Sequence, residues 1–186
     1  MKTGAPAQRA AWRVLTALGI LDALAPFHAR LVGSIPIDVD IPGSDLDIIC
    51  QADDLDALAQ LLKERYGRLS RFRIAFKTRY NHPVLVCEFE YGGFPIQVYG
   101  SPTPVERQRG WVHMAAEAHL LAQGGEKARE AVRALKRTGM KTEPAFAQVF
   151  GLSGDPYETL YTMGLQVLGQ NEGSGRHERT AHLVGE

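Results

Sequence analysis

Asp45 and Asp47 sit one residue apart in the run Ser44-Asp45-Leu46-Asp47-Ile48-Ile49, and Gly33-Ser34 precedes them across a loop with two Pro, a Gly and two Asp. Leu46, Ile48 and Cys50 alternate with Asp45, Asp47 and Ile49, which predicts a strand. On a strand both carboxylates share one face, ~7 Å apart at Cα, while the apolar residues anchor the other. Two carboxylates at that spacing can converge on one hard cation or bridge two. Mg2+ takes one or two carboxylates and fills its shell with water and substrate phosphate oxygens. Gly33 lets a backbone approach a phosphate closely, and the Ser34 hydroxyl can bond it. Asp38, Asp40 and Gly43 also stand at the first, third and sixth positions of a calcium-binding loop. Pro42 and Ile49 then fall at the fifth and twelfth positions, where ligands are required, and the calcium reading fails.

The elements that position these groups are legible in outline. Apolar spacing over residues 8–24 predicts an amphipathic helix that ends before Pro26. A short apolar stretch, residues 29–32, runs into Gly33, and residues 53–66 form a second helix with Asp in its first turn and Gly67 at its C-cap. Residues 71–80 and 84–91 are β-rich, and Gly92-Gly93 turns the chain into a strand over 94–99. From Pro104 the pattern is helical, over roughly 104–122, 126–138, 144–150 and 156–168. Asp155-Pro156-Tyr157-Glu158 supplies an N-cap, a first-position proline and a capping-box Glu. The expected fold is α+β: a mixed sheet flanked by helices, with a helical C-terminal half. Residues 1–103 form the core, 104–168 a helical region packed on it, and 169–186 a polar, flexible tail.

The 186 residues carry 21 Lys+Arg against 21 Asp+Glu, a balance that argues against a uniformly basic or acidic protein. The zero is a cancellation. Residues 38–56 hold seven Asp and no base, residues 63–79 hold seven bases against Glu64, and residues 127–141 hold six bases against Glu130. Beside a metal site such basic stretches can steer a triphosphate or an RNA backbone. Cys50 and Cys87 lie inside apolar runs and read as reduced core residues. No run reaches 18 apolar residues and the N-terminal segment lacks a secretory h-region, so no membrane span is expected and the cytoplasm is the expected compartment.

Apolar-Gly-Ser, a ten-residue loop and Asp-apolar-Asp together resemble the nucleotidyltransferase superfamily typified by DNA polymerase beta. Further stretches widen the likeness: Gly100 with Pro104-Val105, His113-Met114 with Glu117, and Lys141-Thr142-Glu143-Pro144-Ala145-Phe146-Ala147 with Gly151-Leu152 and Gly154-Asp155-Pro156-Tyr157-Glu158. Across residues 31–165 the chain resembles a bacterial family of uncharacterised proteins, domain of unknown function 4269, placed among nucleotidyltransferase-like folds.

The resemblance implies a nucleotidyltransferase-like core that uses Mg2+ or Mn2+ to move a nucleoside monophosphate from an NTP to an acceptor: a small molecule, an RNA or a protein. It assigns Asp45 and Asp47 to the metals and to catalysis, and Gly33, Ser34 and Ser44 to the phosphates. The C-terminal helices would select base or acceptor. Relatives carry a third carboxylate where this chain has Gln97, an amide with an oxygen but no charge. Glu88 and Glu90, on the partner strand, can replace it only if the register turns them into the site. His113 and Glu117, one helical turn apart, are second-rank candidates. The alternative is a non-catalytic member of the fold that binds nucleotide, RNA or a protein.

Overall fold

The computed structural model describes the backbone of residues 1–180 and the side chains through residue 169. The alternation at residues 45–50 becomes β2 (Leu46–Gln51), one of five strands with β1 (Arg30–Val32), β3 (Ser70–Arg79), β4 (His82–Tyr91) and β5 (Phe94–Ser101). Their order across the sheet is β1-β2-β5-β4-β3. β2 and β5 run parallel, and every other neighbouring pair is antiparallel. On one face Leu46, Ile48, Cys50, Ile96, Val98, Leu85, Cys87 and Phe89 join a single buried core. Each of the larger of these side chains contributes about 1.5–3 kcal/mol relative to exposure. That burial locks the register, because a one-residue slip would drive Asp47 and Gln97 into the core.

Three helices supply the rest of this core: α1 (Pro6–Leu18), α2 (Ile20–Ala23) and α3 (Leu55–Tyr66). The single helix expected over 8–24 is broken. Gly19 takes φ +58° and its N–H caps the carbonyls of Leu15 and Thr16, so α2 starts afresh. The N-terminus of α3 is held by Asp54, whose carboxylate accepts from the Ala57 N–H at 2.9 Å, a cap worth about 1 kcal/mol. Gly67 ends α3 at φ −61°, without the left-handed turn expected there. Gly92-Gly93 turns β4 into β5 with φ of +58° and +84°, as expected, and Tyr80-Asn81 makes a second two-residue turn between β3 and β4 at +50° and +63°.

After β5, residues 105–107 form a short 3-10 turn where the sequence suggests the start of a helix. The chain then forms α4 (Arg109–Arg137), interrupted at Gly125 (φ 62°, ψ −155°) inside the expected gap between 122 and 126. α5 (Thr142–Phe150) and α6 (Pro156–Thr180) follow. Asp155 caps α6 through the Glu158 N–H at 2.9 Å. α6 continues past residue 168, and of the tail expected over 169–186, residues 181–186 lie outside the described residues.

The chain divides into two compact units, Met1–Trp111 and Val112–Glu186. The first unit reaches past residue 103 for a physical reason. Gln108 is buried and its amide donates to the carbonyls of Cys50 and Thr103, both at 2.9 Å. No helix among the described residues is long and apolar enough to cross a membrane. Cys50 and Cys87 are buried and unbridged, and burial pushes both thiols up to about 12.

Candidate active site

Gly33 and Ser34 follow directly on β1, where the chain leaves the sheet. Gly33 has φ +88°, a conformation glycine adopts without strain. A Cβ built on it would lie 2.7 Å from Asp47 Oδ2, so the Asp47 carboxylate occupies the space a side chain would take. Val32 pairs with Asp47 across β1 and β2, which sets the two against each other.

The loop between Ser34 and Asp45 is folded. The Val39 N–H donates to the Ser34 carbonyl at 3.0 Å and the Asp38 N–H to Ile35 at 3.1 Å, with Asp38 at φ +61°. Ile35 and Val39 are buried pegs that hold this turn in place. Nearer the strand, the Ser44 Oγ accepts from the Ile41 N–H at 3.0 Å while the Ser44 N–H donates back to Ile41. Ser44 therefore shapes the turn that delivers Asp45. Asp45 is exposed, one residue before β2, and Asp47 is half-buried within it.

Gln8 of α1 was not singled out by any motif, yet it holds this loop. Its side-chain amide donates to the Ile35 carbonyl at 3.0 Å and the Pro36 carbonyl at 2.9 Å, and its oxygen accepts from the Ala5 N–H at 3.0 Å. No local signal reveals it, because its partners lie 27 and 28 residues away.

The register explains the fate of the third carboxylate position. Asp47 pairs with Gln97, Gln97 with Glu88 and Glu88 with Arg73. The four form one row across four strands, on the face opposite the core. Position 97 is thus the immediate neighbour of Asp47, and the amide there faces Glu88, donating to its Oε1 at 3.4 Å. Glu88 is a strand further away and ion-paired with Arg73 at 3.2 Å; Glu90 shares the face but pairs with Arg71 at 3.2 Å. Both carboxylates are engaged with the edge strand. The first turn of α4 borders the same face, with Gly110 packed on Val32 and Ile49.

Among the described residues no group of three or more His, Cys, Asp and Glu is arranged to hold a metal ion. Asp45 and Asp47 are two carboxylates one residue apart at the start of β2.

His113 and Glu117 belong to the second unit, in a buried polar cluster of their own. Both are buried, and so is Lys136. His113 Nδ1 meets Glu143 Oε1 at 3.3 Å, and Nε2 donates to the Tyr157 carbonyl at 3.0 Å. Burial pushes Glu117 up to about 8, aided by the charge of Glu143 and opposed by Lys136. Burial also pushes Glu143 upward, but the His113 hydrogen bond, a backbone hydrogen bond and the charges of His113 and Lys136 overcome it and hold its carboxyl below the ordinary range. Glu143 enters only with the structure; the sequence marked it as part of a matching stretch and not as a charge beside His113.

Comparison with known proteins follows this geometry. The family model described as "Domain of unknown function (DUF4269)" matches residues 13–163. No curated protein matches the sequence. Among solved structures, the chain is similar to the Cid1 poly(U) polymerase bound to MgGTP, at 15% identity over 72% of this chain and 42% of that one, with a TM-score of 0.52. A second form of that polymerase, bound to MgATP, aligns at 15% identity over 78% and 49%, with a TM-score of 0.53. The GLD-2/RNP-8 complex aligns at 14% identity over 78% and 57%, with a TM-score of 0.52. The chain spans about half the length of these structures. The likeness assigns the fold: a nucleotidyltransferase-like mixed sheet with helices after it.

Proposed function

Since the chain belongs to the DUF4269 family, whose description carries no activity, we propose from its own site that it transfers a nucleoside monophosphate from an NTP to an acceptor hydroxyl. The observation that carries this reading is the seating of Asp47 against Gly33, where the chain leaves β1. Asp45 and Asp47 would hold Mg2+ or Mn2+ together with phosphate oxygens. When bound, such a cation neutralises charge on the phosphoryl group under attack. The Gly33 backbone and the Ser34 hydroxyl would hold the β- and γ-phosphates. Ser44 acts through the turn it closes, presenting Asp45, and Gln8 keeps the phosphate loop against α1. The rest of the catalytic work is positioning, since in-line transfer asks little covalent chemistry of the protein.

A second reading, binding of nucleotide without turnover, is favoured by Gln97 beside Asp47. The row offers one negative charge fewer for a second cation than a site with three carboxylates. Incubation with labelled NTPs and Mg2+ or Mn2+ separates the readings. Transfer by the wild type that vanishes in Asp45→Ala/Asp47→Ala supports the enzyme, and transfer that survives the double substitution overturns the assignment. Metal-dependent NTP binding without transfer supports the second reading. In that case Gln97→Glu is expected to gain turnover, and to be less stable than wild type in EDTA. The new carboxylate stands directly between Asp47 and Glu88, and like charges facing across strands cost about 0.2–1 kcal/mol.

A further inference from the structure

β3 is the outer strand of the sheet and is exposed along most of its ten residues. Its register places Arg73, Lys77 and Arg79 opposite Glu88, Val84 and His82. By strand parity these three cations share the face that carries Asp47 and Gln97. β3 lies three strands from β2, so Arg73, in register with Asp47, stands ~14 Å from it at ordinary strand spacing, and Lys77 and Arg79 lie further along the strand.

Exposed aromatic rings accompany this row. Among the described residues Phe76 and Tyr80 are the two most exposed large apolar side chains, at 52% and 69%. Phe76 points to the face opposite Lys77, and Tyr80 sits in the turn at the end of the strand, with the Arg109 guanidinium 4.9 Å from its ring centroid. Tyr99, on the Asp47 face, is close to both Tyr80 and Arg79, so the Tyr80 ring stands on that face as well. Charge on an edge strand ordinarily keeps other strands from pairing with it. That role gains nothing from two exposed aromatic rings, which make an edge adhesive. A row of cations with one exposed ring at its end and another over its edge matches a polymer that alternates phosphates with flat bases.

We propose that the outer edge of β3 binds a single-stranded polynucleotide. Its phosphates lie along Arg73, Lys77 and Arg79, one base stacks on Tyr80 at the end of the row, and another turns over the edge against Phe76. The proposal rests on the transfer reading in one respect: the bound strand is the acceptor, and its terminal hydroxyl reaches Asp45 and Asp47 across the sheet. A duplex fits poorly, because its bases are stacked on one another and turned away from the rings.

The test is fluorescence anisotropy with a labelled oligouridylate of about twenty nucleotides, without metal or NTP, over a salt series. Three phosphate contacts on a single strand predict a log Kd against log salt slope of about 2, and Lys77→Ala/Arg79→Ala should lower it by about 1.4. Lys77→Glu/Arg79→Glu should weaken binding about tenfold or more. The same reversal at the exposed Lys127 and Arg137 of the second unit should leave it unchanged. Absence of salt-dependent binding by the wild type overturns the proposal. So does equal loss in the two charge-reversed variants, or tighter binding of a duplex of the same length. Binding that persists while transfer is absent counts against the transfer reading alone.

Discussion

Glu117 is a buried carboxyl held between Glu143, which repels its charge, and Lys136, which attracts it. Its folded value of about 8 stands above the ordinary 4.5, so the folded chain keeps a proton that the unfolded chain releases. The resulting stabilisation is complete below about pH 4.5. It declines as pH rises towards 8 and is gone above it, with a limiting slope of roughly 1.4 kcal/mol per pH unit for one proton. Glu143, shifted the other way, loses its contribution only as pH falls below the ordinary carboxylate range, outside this window. Denaturant titrations at pH 5.5, 6.5 and 8 should show wild-type stability falling across the series. Glu117→Gln should flatten that fall, because the amide is always neutral. A Gln variant with the wild-type slope would place the titration elsewhere. His113 and Glu117, one helical turn apart, are both buried. The two sit in a buried charge cluster with Glu143 and Lys136, and the Tyr157 carbonyl takes the second ring nitrogen.

At the scale of elements, α1 and the loop after β1 behave as one piece through Gln8. Replacing it with Ala removes two donors to Ile35 and Pro36 and the acceptor for Ala5. About 1–3 kcal/mol of stability should go with them. Hydrogen exchange should quicken first at the Val39 amide, whose bond to Ser34 closes the loop. Unchanged exchange there would show that Ile35 and Val39 alone hold the loop. Elements whose cause is local were readable in the chain itself. Period-two alternation marked β2, Asp155-Pro156 marked the start of α6, and Gly92-Gly93 marked the hairpin into β5. Tyr80-Asn81 forms the same kind of turn without a glycine, and Gly19 stops α1 inside an unbroken apolar period. Neither leaves a strong local mark. Of the site, the Gly33-Ser34 and Asp45-Asp47 segments are contiguous and therefore legible. That Gln97 stands beside Asp47, and that Glu88 and Glu90 are taken by Arg73 and Arg71, depends on strand order. No spacing along the chain encodes that order.

Over the whole molecule the charge balance of zero conceals a polarity within the first unit. The acidic residues 38–47 lie at the β1–β2 side of the sheet, and the cations of β3 lie at its opposite edge. The acids gather where a cation is proposed and the bases where phosphates are proposed, so an approaching polyanion is drawn to one edge and repelled by the other. The strand order also has a consequence in time. β3, β4 and β5 follow one another through two-residue turns and can pair as soon as they exist, whereas the parallel pairing of β2 with β5 must wait for a loop containing α3, β3 and β4 to close. Distant pairing is slow because the entropy of closing the loop is lost before contacts reward it. Pulse-labelled amides bonded between β4 and β5 should become protected before those bonded between β2 and β5, and the reverse order would contradict this sequence of events. A folding chain therefore joins its basic edge to β5 before the β1–β2 pair, with Gly33 and Asp47 already set against each other, docks on the far side of β5.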